Sequence, residues 1–397
     1  MRTYNIVGAF DRHNYGDIIF PLIHTEFIRR NTDGNILINY FSLSDADLRD
    51  VGGVKTGTLK KLLTKELNEN DRIIMCGGDI LTVDWISMAG HLSNKYFFFI
   101  LRQIQKILGV SLSNLLIKNL WLQKNKYPYI MSHENVKCKI YYTGVGGSGF
   151  ELSDNKYIRD VPKQLVKVDS ISVRENITKK YLSDAGVKCS LVPDSALIMS
   201  DYYTLNKLSE TKWSDNIIHD NGFTIRDFIV FQSARFNGES RITEIVSELV
   251  KINNSTGKSI LLLPIGRATG HEDHIFLEKV YKLLSIRKIP VGLQNSAHVL
   301  HIMASLANSK AYIGTSLHGA ITAYSYGHKI CAFSIKEVKK LKGFLEAWLT
   351  PADYCMSMDV DFSEKFIELC ENSYDISDTS MLIKQKVMVT GELKKYL

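Results

Sequence analysis

The sequence predicts an α/β protein of two domains, each built on a largely parallel sheet with helices on both faces. Three observations carry that prediction. Short apolar runs alternate with helical patterns along most of the chain, which is the grammar of βαβ units. The grammar lapses at one polar, weakly periodic stretch and then starts again. And 397 residues exceed the roughly 100–200 that a single domain usually holds.

In the first half, "YNIVGAF", "NILINYF", "RIIMCGG", "IYYTGVGG", "DSISVR" and "CSLVPD" read as buried strands, because their apolar residues are continuous and the runs are short. "DIIFPLIHTEFIRR" and "ENITKKYLSDAG" place apolar residues at helical spacing between them. Residues 85–138 depart from the alternation and are long, aromatic and basic. They predict a helical excursion packed on the first domain. A sharper reading makes the excursion an amphipathic surface that docks on a membrane or covers a lipid-linked acceptor. The polar break is "DYYTLNKLSETKWSDNIIHDNGFTIR", residues 201–226, which puts the domain boundary near 222 and the domains at 1–222 and 223–397. Strands "DFIVFQS", "SILLLPIG", "AYIGTS" and "KICAFSI" follow, with helices "SRITEIVSELVKIN", "DHIFLEKVYKLLSI" and "AHVLHIMASLAN". No short repeat and no low-complexity segment interrupts them.

Composition narrows the function classes. A formal charge of +7 with the two signs interspersed lacks the clustered basic stripe of a nucleic-acid binder. It suits a protein that handles small anions or rests near an anionic membrane surface. Six cysteines without a CxxC pair or a zinc-ligand spacing predict buried free thiols in a reducing compartment. The N-terminal apolar run is too short for a signal peptide. "KYFFFILRQIQKILGV" is interrupted by Arg102, Gln103, Gln105 and Lys106, so no stretch reaches the ~18–20 apolar residues of a membrane span. The expectation is a cytoplasmic protein, with peripheral contact to the inner face of the cell membrane as a further possibility.

Ligands of open parallel sheets bind beyond the carboxyl ends of the strands, so candidate residues are sought there. After the first strand, "FDRHNYGD" offers Asn14, Tyr15 and Asp17 around Gly16, next to the unpaired N–H groups of a helix start. Asp17 also fits a plain helix cap. The stretch is no GxGxxG, so no dinucleotide site is predicted. "CGGDIL" places Gly77, Gly78 and Asp79 at the next strand end, and "TGVGGSGF" places Gly146 there too. Glycines allow close backbone approach, and their recurrence predicts that this domain lines a cleft. "SVREN" ends on Arg174, whose guanidinium forks onto carboxylate or phosphate or forms a structural ion pair. Asp194 in "VPDSAL" is a cap or a group that orients a cation or hydroxyl. In the second half Arg235 and Arg267 follow two strands. His271, Asp273 and His274 invite a metal reading, but spacing alone does not carry it. "GTSLHGA" sets His318 at a strand–helix junction between glycines, where an imidazole can exchange a proton near neutral pH.

This ordered set resembles the polysaccharide pyruvyl transferase family. The elements are "NYGD", "CGGDIL", "TGVGGSG", "SVREN", "VPDSAL" and "GTSLHGAITAYSYG", in the family's order and at similar spacing from about residue 5 to 335. The resemblance implies two Rossmann-like domains arranged as in GT-B glycosyltransferases, with the active site in the cleft between them. It implies transfer of the enolpyruvyl group of phosphoenolpyruvate to a sugar, on a cell-surface polysaccharide or its lipid-linked precursor, giving a pyruvate ketal without a metal or other cofactor. On this pattern His318, before Gly319, falls on the catalytic histidine and Arg174 on the arginine of the "SVR" motif. Some members carry an arginine two positions before the histidine, and this chain has Ser316. Another cation must then clamp the donor, with Arg174, Arg235 and Arg267 the candidates. Ketal formation needs an acid, a base and a fixed cationic clamp. His318 is expected as the acid/base, Asp17 or Asp194 to orient acceptor hydroxyls, and Asn14, Tyr15, Gly77, Gly78, Asp79 and Gly146 to line the acceptor side. Rival readings are a GT-B glycosyltransferase using a nucleotide-sugar and a non-catalytic anion- or sugar-binding protein.

Overall fold

A computed structural model describes residues 2–93, 95–121, 125–151, 157–225, 227–268, 271–335 and 338–397. Two sheets organise the chain. The first holds eight strands: β1 (Arg2–Val7), β2 (Ile36–Ser42), β3 (Ala46–Asp47), β4 (Lys55–Thr58), β5 (Arg72–Cys76), β6 (Lys139–Val145), β7 (Ser170–Val173) and β8 (Ser190–Leu191). Their order is β3-β4-β2-β1-β5-β6-β7-β8, parallel except for the β3–β4 edge. The second holds seven: β9 (Ile217–Asn221), β10 (Phe228–Gln232), β11 (Ser259–Leu262), β12 (Val291–Gln294), β13 (Tyr312–Gly314), β14 (Ile330–Phe333) and β15 (Tyr354–Ser357). Their order is β15-β14-β13-β10-β11-β12-β9, with β9 antiparallel to β12. Central strands such as Arg72–Cys76 and Phe228–Gln232 are buried at every position, as expected where helices cover both faces of a parallel sheet.

Each sheet reverses its winding once. β1 lies between β2 and β5, and β10 lies between β11 and β13. These switch points open a crevice beyond the strand ends, and the two crevices face each other. The strand Ile217–Asn221 pairs with the second sheet, so the change of sheet falls between β8 and β9, that is between Leu191 and Ile217, and the second sheet starts ahead of the expected boundary at 222. The last helix returns to the first sheet: Ser170 and Ser190 donate to Glu392, and the buried Tyr396 ring packs against Tyr4, Phe27 and Tyr141. One apolar cluster therefore runs through both halves, from Ile6 and Ile74 to Tyr324 and Leu345.

Six helices shape the cleft and its surroundings: α1 (Tyr15–Asn31), α2 (Trp85–His91), α3 (Lys95–Leu120), α4 (Leu317–Ser325), α5 (Lys339–Trp348) and α6 (Thr379–Leu393). The predicted excursion is α2, α3 and the loop after them. Trp85, Ile86, Met88, Leu101, Ile117 and Tyr129 join the core of the first sheet. Among the cysteines, Cys76, Cys138, Cys331 and Cys370 are buried and all six are unbridged.

Candidate active site

The loops after β1, β5, β7, β10, β11, β13 and β14 converge on one cleft of about 330 Å³ between the sheets. The chain is tied across it. Asn14 forms a bridge with Gly266, His13 Nε2 meets the Ala297 carbonyl at 2.7 Å, and the Trp348 indole donates to the Arg174 carbonyl at 3.0 Å.

At the base of the cleft stands a triad of side chains from three strand ends. Arg174 Nη1 donates to Asp194 Oδ2 at 2.6 Å, and His318 Nε2 lies 3.6 Å from the same oxygen. Asp194 is fully buried. Burial alone would raise its carboxyl, but His318 and the charge of Arg174 more than offset this and hold it at about 2. The carboxylate also accepts the Ala196 N–H at 2.9 Å, so its position is fixed from three sides. Around this base the sequence supplies small residues where bulk would not fit. A Cβ on Gly16 would sit 2.0 Å from His318 Nδ1, and a Cβ on Gly146 would sit 3.0 Å from the Arg174 guanidinium. The Phe20 ring closes the imidazole from the side, edge to face at 5.4 Å.

On the first-domain wall, Asp17 Oδ2 accepts from Asn14 Nδ2 at 2.9 Å and from Arg12 Nη2 at 3.2 Å. Asp17 sits in the first turn of α1, whose cap residue is Asn14. Asp79 accepts the Ser148 N–H at 2.8 Å and lies 3.8 Å from Lys340 Nζ. The glycine loops bind each other, Gly146 N–H donating to the Gly78 carbonyl at 2.9 Å. On the opposite wall Asp273 Oδ2 accepts from Gln232, Gly266 and Ile265 at 2.8, 2.9 and 3.1 Å, while Oδ1 has no partner. Burial outweighs those bonds and pushes this carboxyl up to about 6. His271 stacks on His91 across the cleft at 6.5 Å. Burial lowers its imidazole, with Asp17 pulling the other way. The His271, Asp273 and His274 trio thus makes separate contacts. Among the described residues no three His, Cys, Asp or Glu side chains group as metal ligands.

The structure brings Asn14, Asp17, Gly78, Asp79, Arg174, Ser316 and His318 to the cleft and sets Asp194 behind them. Several expectations need correction. Asp194 is buried behind the cleft wall rather than on the acceptor side: it caps Ala196 and pairs with Arg174, as the cap and cation readings expect, and lies 3.6 Å from His318 Nε2 without a hydrogen bond. Tyr15 is buried, its hydroxyl 2.9 Å from Thr322 Oγ1, because it faces the core side of α1. Gly77 adopts φ 122°, which makes the turn after β5 and lets Gly78, not Gly77, face the cleft. Gly319 exists for packing, since a Cβ there would meet the Tyr312 hydroxyl at 2.6 Å. Ser316 caps α4 by accepting the Gly319 N–H at 3.3 Å. Arg235 is bound to Glu239 at 2.7 Å and Glu272 at 3.2 Å, outside the cleft. Arg267 points to the Asn295 carbonyl at 2.7 Å. Among the described residues the Lys and Arg side chains that face the cleft beside Arg174 are Arg12 and Lys340, neither of which the sequence reading singled out. Arg12 lies inside the quoted "FDRHNYGD". Lys340 follows the strand "KICAFSI", and applying the strand-end rule to β14 would have found it.

Two facing sheets with crevices at their switch points define a GT-B-type enzyme fold, and solved structures agree. UDP-GlcNAc 2-epimerase from Methanocaldococcus jannaschii superposes with a TM-score of 0.57 at 12% identity, covering 98% of each chain. The UDP-N-acetylglucosamine 2-epimerase from Rickettsia bellii gives 0.55 at 10% identity, covering 100% of this chain and 95% of its own. At such identities the likeness is one of fold. No curated relative matches the sequence. The family is settled by the polysaccharide pyruvyl transferase model, which matches residues 4–337: the chain belongs to the polysaccharide pyruvyl transferase family.

Proposed function

We propose that the protein transfers the enolpyruvyl group of phosphoenolpyruvate to a sugar of a surface polysaccharide, or of its lipid-linked precursor, and closes it into a pyruvate ketal. The observation that carries this reading is the meeting of His318, Asp194 and Arg174 at the base of a cleft whose walls present Arg12 and Lys340. An enol phosphate with a carboxylate needs several fixed cations, and these three come from different strand ends. In the reaction the methylene carbon of the donor takes a proton, leaving a cation at the adjacent carbon. A sugar hydroxyl attacks that carbon and gives up its proton. Phosphate departs, and a second hydroxyl of the sugar attacks the same carbon to close the ring, its proton leaving with the phosphate. His318 is the group placed to give and take these protons. Asp194 stands 3.6 Å behind the imidazole and holds Arg174 beside it. Arg174, Arg12 and Lys340 hold the donor's carboxylate and phosphate, and Asp17 and Asp79 face the acceptor hydroxyls.

The test is a melting series with phosphoenolpyruvate, and with UDP, GDP and CMP alongside. A ligand bound only by the folded state adds about 2.7 kcal/mol at one hundred times its dissociation constant. Phosphoenolpyruvate should raise the melting temperature of the parent and of Arg235→Ala alike, and raise Lys340→Ala much less, each against its own ligand-free value. His318→Gln should keep that rise but lose about 10²–10⁴-fold in phosphate release with a glycan acceptor. A rise with a nucleotide alone would overturn the reading in favour of a nucleotide-sugar donor, and a loss below tenfold would remove His318 from the acid/base role.

A further inference from the structure

Helix α3 buries few of its apolar side chains, Leu101 and Ile117 among them, and leaves most of the rest on its outer face. In its second half Ser113 and Asn114 are buried at 0% and 1% exposure, while Leu112, Leu115 and Leu120 stand 59%, 52% and 66% exposed. A surface helix normally turns its apolar stripe to the core. Here a polar pair shares the docking with Ile117: Asn114 Oδ1 accepts the Ile86 N–H at 3.0 Å, and its Nδ2 donates to Asp84 at 3.2 Å. The first half, before the break at Gly109 (φ 72°), docks through Leu101 and still leaves Tyr96 and Ile107 each 81% exposed and Phe99 65%. More than half of the exposed large apolar side chains among the described residues lie between Tyr96 and Leu120. Contiguous exposed apolar area on this scale marks an interaction surface.

The charge pattern says what kind. From Trp85 to His133 the sequence carries six Lys and Arg residues and no Asp or Glu. Lys126 is paired with Asp160 and Arg102 donates to Gln105 on its own helix; Arg102, Lys106 and Lys118 lie along α3 among the apolar side chains. Exposed aromatic and leucine side chains rimmed by cations and free of acids fit the interface of an anionic bilayer. No helix among the described residues is long and apolar enough to cross one. The surface is also continuous with the active site, since α2, to which Asn114 is bound, puts Ser87, Met88 and His91 on the cleft wall.

We propose that α3 lies on an anionic lipid surface, with its apolar side chains among the acyl chains and its cations at the headgroups, and so presents the cleft mouth to the membrane. The inference does not rest on the identity of the donor. It is tested by flotation of the whole protein with vesicles of phosphatidylglycerol and phosphatidylcholine, and with phosphatidylcholine alone. The parent should float with the mixed vesicles, weakly with the neutral ones, and less at high salt, since exposed charges are screened. Ile107→Glu combined with Leu112→Glu should lower binding at least about tenfold, with melting temperature and phosphoenolpyruvate response unchanged. Lys106→Glu with Lys118→Glu should remove the preference for anionic vesicles. A parent that does not float, or a glutamate variant that floats like it, overturns the proposal. So does a parent that ignores vesicles and forms a dimer dissolved by the glutamate pair, which would assign the face to a second copy of the chain.

Discussion

Replacing Asp194 by asparagine isolates the interaction on which the cleft is built. The side chain keeps its shape and can still accept the Ala196 N–H, but the charge between Arg174 and His318 is gone. The carboxyl sits at about 2 in the folded protein against an ordinary 3.8, a difference of about two units, or roughly 2–3 kcal/mol of folding free energy. A second route gives a similar size. Arg174 is buried, its side chain 5% exposed, and removing one partner of a buried pair costs about 3–5 kcal/mol. Glu175 also lends Arg174 negative potential, which reduces the penalty. The expected loss is therefore about 3 kcal/mol at pH 7. Its sign with pH follows from the depressed value. The stabilisation is complete above the unfolded carboxyl near 3.8 and is lost as the pH falls through about 2. Urea unfolding followed by circular dichroism, at pH 7 and across the acid limb, measures both. Parent and Asp194→Asn should differ widely at pH 7 and converge in acid. Coincident midpoints at pH 7 would refute the reasoning, because Arg174 would then be compensated by something other than Asp194.

Two more variants probe the same geometry. The raised Asp273 carboxyl, at about 6, contributes stability that is full below 3.8 and lost as the pH rises through its folded value; Asp273→Asn should unfold at higher urea than the parent at pH 7.5, by about 1–3 kcal/mol, and match it near pH 4. Gly16→Ala brings a methyl to 2.0 Å from His318 Nδ1, so the imidazole must move by more than an ångström, and phosphate release should fall about a hundredfold while the melting response to phosphoenolpyruvate persists; an unchanged rate would show that His318 is not held where the chemistry needs it.

Much of this protein is written in its sequence because the signals are local. Continuous apolar runs announce strands of a parallel sheet, since such strands are buried on both faces, and turn-forming glycines mark their ends. The residues that close a strand end therefore fall near the site whatever the rest of the chain does. That is why Asn14, Asp17, Gly78, Asp79, Arg174 and His318 could be named. The short edge strands Ala46–Asp47 and Ile217–Asn221 escape such reading, because their pairing rather than their composition makes them strands.

Partnership was decided by the tertiary structure. Arg174, Arg235 and Arg267 look alike in sequence, each a cation just past a strand. Arg235 meets Glu239, one turn on in its own helical segment, and Glu272 from the loop after β11, Arg267 meets a backbone carbonyl, and of these three only Arg174 meets a carboxylate that a histidine from the other sheet also faces. Lys340 becomes the second-domain cation through the direction in which α5 leaves β14. Asp194 turns from an acceptor ligand into a buried strut because Arg174 and His318 stand between it and the cleft. A sequence sets which groups a strand end can offer; burial and distance between chain segments far apart decide which of them meet, and electrostatic energies depend on that meeting.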